Sequence, residues 1–121
     1  MPTATGHTTA IAASKVSGTA VFDMKGAKIG QLEDLILDKT SNRIMFAIVS
    51  FGGFLGIGEK YHSVPWSVLD YSREKGGYIV PMTKETLEKA PTYALGDFTK
   101  ADGGSAIRDA SYDYYKVGRD W

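Results

Sequence analysis

Cysteine is absent from the 121 residues. That excludes a disulfide framework, a thiolate nucleophile and any zinc site built on cysteine. An excess of one charge is also missing, because 14 Lys+Arg balance 14 Asp+Glu. No global field therefore draws the chain to a nucleic acid or an anionic membrane, and neither is an expected partner. Histidine is limited to His7 and His62, with no HxxxH or HExxH spacing, so no metal centre is expected. Long apolar runs are lacking as well. The longest stretch, Ile44–Ile57, is broken by Ser50 and three glycines, well short of the roughly 20 residues of a membrane-spanning helix. The opening residues, MPTATGHTTAIAAS, have neither the basic region nor the apolar core of a secretory signal. The expectation is a cytoplasmic chain without membrane insertion and with a flexible leader over residues 1–14.

What is present suits one globular domain. The apolar fraction of 43% over 121 residues supports a single packed core and leaves little room for a second. From about Val16 to Pro91 the chain reads as short strands punctuated by turns. Gly18–Phe22 is rich in strand formers, and in the turn that follows Gly26 can supply a positive φ. Lys28–Asp38 is long for one strand, and its alternation slips: Leu32 falls in phase with Asp34, while Leu35 and Leu37 fall out of phase. A bulge near Asp34 reconciles the pattern. Asn42 is the expected left-handed residue of the next turn.

Arg43–Phe51 is apolar on both faces, with Ile44, Phe46 and Ile48 on one and Met45, Ala47, Val49 and Phe51 on the other. Such a strand is buried on both sides. In a small β-domain the second face has to be covered by the tail, a helix or another chain. Lys60–Val64 is a further strand ended by Pro65, Trp66–Leu69 a 3-10 turn, and short strands follow at Tyr71 and at Tyr78–Pro81. Thr83 caps the one good helix, which docks through Leu87 and Ala90 and stops at Pro91. Residues 92–121 read as a glycine-bearing linker leading to an extended, aromatic-dense tail.

Chemistry-bearing patterns fail on inspection. Gly53 and Gly58 have phosphate-loop spacing, but Glu59 precedes Lys60 and a strand follows where a helix is needed to hold a phosphate. Phe54, Leu55 and Ile57 in that loop instead read as apolar contacts, inside the chain or with a partner. Glu33 and Asp34 point to opposite sides of a regular strand and make no acid–base pair. Asp34 is expected to bond backbone at the bulge and Asp38 to cap the next turn. His62 reads as a hydrogen-bond donor at a strand end. No G-x-S-x-G elbow exists. No catalytic residue, metal or cofactor is expected, and the chain reads as no enzyme.

The run G-T-A-V-F-D-x-K-G-x-K-I-G-x-L-E-D-L-I-L-D-K over Gly18–Lys39, and F-G-G-F-L-G-I-G-E-K-Y-H-S-V-P-W-S-V-L over Phe51–Leu69, resemble the PRC-barrel domain. The ending Y-D-Y-Y-K-V-G-R-D-W is similar to that of small single-domain bacterial members, with Lys116 standing where glycine is usual. The resemblance implies an all-β fold: a small, bent antiparallel β-barrel of about six strands, with one short helix and an extended aromatic tail. Residues 15–91 would form the domain and 92–121 the linker and tail. The family is named for the cytoplasmic domain of the photosynthetic reaction-centre H subunit and the C-terminal domain of a ribosome-maturation factor, both binding modules.

The expected function is therefore a non-catalytic protein–protein interaction module, homodimeric, with an unidentified protein partner. Its candidate interface residues are Met45, Phe51, Phe54, Leu55, Ile57, Tyr112, Tyr114, Tyr115 and Trp121. A ribosome- or RNA-associated factor is the alternative, with Lys25, Lys28, Lys39 and Arg43 converging at hairpin ends. A third reading is a small-molecule or quinone-binding barrel with a cavity lined by Phe46, Phe54 and Trp66.

Overall fold

The computed structural model describes residues 10–51, 61–100 and 104–119. Six strands form one sheet: β1 (Ala20–Phe22), β2 (Lys28–Asp38), β3 (Arg43–Phe51), β4 (His62–Val64), β5 (Asp70–Ser72) and β6 (Gly77–Ile79). Their spatial order is β4-β3-β2-β1-β6-β5. Helices α1 (Ala13–Val16), α2 (Lys84–Glu88) and α3 (Ser105–Tyr115) accompany the sheet, with 3-10 turns at Trp66–Val68 and Leu95–Thr99. The expected count of six strands holds. Three other expectations are corrected: the fold is not all-β, β1 and β6 pair in parallel, and among the described residues the sheet does not close into a barrel.

Physical reasons stand behind each correction. After β4 the chain crosses the sheet through the Trp66–Val68 turn and lays the β5–β6 hairpin beside β1, which fixes β6 parallel to it. Closure would require the outer edge of β4, and that edge is already taken. Tyr61 and Tyr93 exchange backbone hydrogen bonds of 3.0 and 2.9 Å there, and the Ser111 hydroxyl of α3 donates to the Ser63 carbonyl at 2.9 Å. A strand edge satisfied within its own chain has no groups left for another strand.

The long strands are shaped by two bulges. The β2–β3 register slips between Leu32 and Asp34, as the broken alternation requires, and again between Ile36 and Leu37, opposite Met45. Each slip moves the following side chains across the sheet. Leu32 and Leu35 consequently serve one core cluster, with Val21, Val49, Val64, Val80 and Leu87, whereas Ile36 serves another with Phe46, Ile48 and Phe98. The strict alternation expected for β3 is corrected at Met45, which joins the Phe46 side instead of the Ala47 and Val49 side. Gly30 lies where the two strands come closest: a Cβ there would sit 2.1 Å from the Ser50 carbonyl oxygen.

Turns follow the residue chemistry. Asn42 has φ 62 and Gly26 φ 86. Asp23 accepts from the backbone of Lys25 and Ala27, both at 2.9 Å, closing the β1–β2 turn. Thr83 caps α2 by accepting from the Thr86 amide at 3.2 Å, and Leu87 and Ala90 are buried as expected. At the N-terminal side, α1 places Val16 in the core.

Candidate interaction surface

Both faces of β3 are buried, and what covers them differs. The inner face, through Ala47 and Val49, belongs to the larger core cluster with Val16, Leu69, Tyr78 and Leu87. The outer face, through Phe46 and Ile48, is covered by Phe98 of the Leu95–Thr99 turn, with Tyr93 and Ile107 packed beside it. Phe98 is fully buried; its ring lies 5.8 Å from that of Phe46 and 5.4 Å from that of Tyr93. Asp97 holds the turn in place by accepting from the Ala94 amide at 3.0 Å. The cover anticipated from the two-sided strand is thus supplied by the C-terminal segment of the same chain.

That segment is not the extended tail expected from its composition. Residues 105–115 form α3, an eleven-residue helix. Its docking positions Ile107, Ser111 and Tyr115 recur every four residues on one face, with a serine in the middle because that position bonds the edge carbonyl of β4. Gly104 starts the helix at φ +95, and a Cβ there would meet the Phe98 carbonyl oxygen at 2.6 Å. The helix ends with the Val117 amide on the Tyr112 carbonyl (2.9 Å) and the Lys116 amide on Asp113 (3.3 Å). Lys116 adopts φ 56, the left-handed helix-ending position where glycine is favoured.

The candidate interface residues therefore lie in different settings. Tyr112 is buried, and Tyr114 donates its hydroxyl to the Thr86 carbonyl at 2.7 Å. Tyr115 packs against the larger cluster, and burial, with a lesser contribution from Tyr114, raises its phenol well above the usual range. Its hydroxyl has no hydrogen-bond partner among the described residues. Phe51 packs on His62 with ring centres 5.2 Å apart. Phe54, Leu55, Ile57 and Trp121 lie outside the described residues. Met45 borders an open surface.

That surface is a groove of about 380 Å³ beside the β2–β3 hairpin, lined by Ile36, Leu37, Asp38, Lys39 and Met45 on one side and by Thr99 and Ser105 on the other. Ile36 and Met45 are buried in its floor, while Leu37 is 59% exposed. Asp38 closes the hairpin turn by accepting from the Thr40 amide (2.9 Å) and the Ser41 hydroxyl (3.0 Å). Those two bonds hold its carboxyl below the ordinary aspartate range, so it is charged at neutral pH. Leu37 follows Ile36 in β2 and pairs with Ile44, so its side chain lies on the other face of the sheet from Ile36 and Met45.

Glu33, Asp34 and His62, weighed above for acid–base chemistry, each make bonds within the fold. Glu33, set at the first bulge, accepts from the Ser50 hydroxyl at 2.6 Å and from Gln31 at 3.1 Å. Asp34 accepts from the Leu35 amide at 2.7 Å. His62 is buried; burial lowers its pKa and a bond with the Pro91 carbonyl partly offsets that. Its Nδ1 has no hydrogen-bond partner among the described residues. Among those residues no group of three or more His, Asp or Glu could hold a metal ion, and no helix is long and apolar enough to cross a membrane.

Two arrangements expected from the sequence do not form. Lys25 and Lys28 flank the β1–β2 turn while Lys39 and Arg43 flank the β2–β3 turn, so they sit at opposite ends of β2 instead of converging. Phe46 and Trp66 belong to separate clusters, Trp66 packing on Tyr78 at 5.3 Å, and Phe54, expected beside them, lies outside the described residues.

A six-stranded bulged sheet with two hydrophobic clusters, and a groove beside its β2–β3 hairpin, defines a small β-rich domain. The family model of the PRC-barrel domain matches residues 8–87. The chain belongs to the PRC-barrel family, and the residues that cover the outer face, Tyr93, Phe98 and Ile107, lie beyond the matched region. No curated protein matches the chain.

Proposed function

We propose that this PRC-barrel protein is a non-catalytic protein–protein interaction module whose contact surface is the groove beside the β2–β3 hairpin. The observation that carries this reading is the groove with Ile36 and Met45 in its floor and Asp38, Lys39, Thr99 and Ser105 at its rim, on a domain whose other long apolar face is already covered. A partly apolar depression with a polar rim is a surface that a partner can desolvate. The engagement of Glu33, Asp34, Asp38 and His62 in bulge, turn and strand-end bonds supports a structural role for these groups over a catalytic one. Homodimerisation, expected from the two-sided strand, loses that particular support because Phe98 covers the second face within the chain. Phe54, Leu55, Ile57 and Trp121, which also motivated it, lie outside the described residues. A domain without a membrane-crossing helix among its described residues also suits a cytoplasmic location.

A photo-crosslinking amino acid at position 39, an exposed residue of the groove's lining, compared with one at the exposed Met24 of the distant β1–β2 turn, tests the reading in the host cell. Polypeptide adducts specific to position 39 are expected. Adducts to RNA alone, or none beyond those at position 24, overturn it.

A further inference from the structure

We infer that Trp66, Tyr71 and Tyr78 form a second contact surface, whose ligand is a proline-rich segment in the polyproline II conformation. The surface lies at the β5 edge of the sheet and shares no residue with the groove. Tyr71 of β5 stands directly opposite Tyr78 of β6, so the two side chains rise from one face. Their rings meet edge-on at 5.2 Å. Trp66, which opens the 3-10 turn after Pro65, packs on the same Tyr78 ring at 5.3 Å. Packing of the core does not account for Tyr71, which is 44% exposed and belongs to neither hydrophobic cluster.

The ring planes are inclined, by 75° between the two tyrosines and by 56° between Trp66 and Tyr78. Inclined rings leave clefts between them and no flat platform on which a sugar or a base could stack. Aromatic-lined clefts are what proline-rich segments occupy in polyproline II recognition.

The polar tips agree. Among the described residues, the Trp66 indole N–H and the two hydroxyls have no hydrogen-bond partner, and the side-chain polar atoms that are both sealed from solvent and unpaired belong to His62 and Tyr115. The Trp66 and Tyr78 tips therefore reach solvent, although Tyr78 as a whole is only 5% exposed. Burial, and then the adjacent Tyr71, raise the Tyr78 phenol, so it keeps its proton and can donate. A polyproline II segment makes no internal hydrogen bonds and leaves its carbonyls open to outside donors, while proline brings no amide. Such a ligand consists of apolar rings and acceptors, matched to apolar rings tipped with donors. An ordinary extended peptide would bring amides to an indole that can only donate. The segment is also preformed, so little ordering entropy opposes binding to so small a surface.

Titration of the isotope-labelled full chain with an oligoproline of about ten residues, a polyproline II helix in water, tests the inference by nuclear magnetic resonance. The Trp66 indole signal, distinguished from that of Trp121 with Trp121→Phe, is expected to shift saturably with a dissociation constant below about 1 mM. Tyr71→Ala should weaken binding at least about fivefold. Trp66→Phe, which keeps a ring and removes the donor, should weaken it severalfold. If Tyr71→Ala does not fold by circular dichroism, Tyr71→Phe stands in, with a smaller loss expected from the missing hydroxyl alone.

No shift at about 5 mM oligoproline overturns the inference. So do shifts that persist undiminished in the Tyr71 and Trp66 variants, equal shifts from a glycine–serine peptide of the same length, or shifts from maltohexaose in place of oligoproline. None of these measurements involves Lys39, so the groove reading stands or falls separately by its own crosslinks.

Discussion

Replacing Phe98 by alanine tests whether the outer face of β3 is covered by its own chain. The side chain is fully buried against Phe46, Ile48 and Tyr93. Removing it loses about 1.5–3 kcal/mol of transfer free energy. A cavity term adds to that, because the ring sits between a rigid strand and a turn fixed by Asp97; large aromatic-to-alanine changes total about 3–5 kcal/mol. Against a domain stability of about 5–15 kcal/mol this is a major fraction. With a urea slope of about 1–3 kcal/mol per M, the unfolding midpoint should fall by roughly 1–5 M. Phe98→Leu keeps most of the buried area and should cost clearly less. The assay is urea unfolding followed by far-UV circular dichroism, repeated at two protein concentrations about tenfold apart. Cover within the chain predicts the same shift at both. A shift below about 1 kcal/mol, or one that grows on dilution, would mean that Phe98 is dispensable or that the face is covered by another copy.

Other outcomes follow from single positions. Lys116→Gly should raise the melting temperature, since relieving a left-handed lysine is worth about 1 kcal/mol and exceeds the entropy glycine adds to the unfolded chain; a lower melting temperature refutes the helix ending described. Gly104→Ala should destabilise by more than about 1 kcal/mol, through its positive φ and the 2.6 Å approach to the Phe98 carbonyl, and by less if the turn yields. His62 imposes a pH dependence: its folded pKa lies below the ordinary 6.5 because it is buried. Below about pH 6.5 the unfolded chain therefore binds a proton that the folded chain does not. Stability falls as the pH drops through that window, by at most about 1.4 kcal/mol per pH unit, and is flat above it with respect to this group. His62→Gln should remove that component of the slope in unfolding measured between pH 5 and 8, and an unchanged slope would refute the assignment.

Local chemistry determined much of this protein in advance. The strand limits of Arg43–Phe51 and Lys28–Asp38, the left-handed Asn42, the Thr83 cap, the turn bonds of Asp38 and the bulge near Asp34 depend on neighbours a few residues away. The PRC-barrel motif was equally legible. The helix over residues 105–115 was not, because Ser111 and three tyrosines are indifferent helix formers and Ser111 is there to satisfy a carbonyl 48 residues away. Nor could the sequence say what covers Phe46, since a tail, a helix and a second chain all bury the same area. Tertiary structure decided that in favour of Phe98. It also decided the site: a one-residue slip at Met45 brought that side chain to the face of Ile36 and Phe46 and made it part of the groove floor. Register is a property of the pairing between strands, and no single strand carries it.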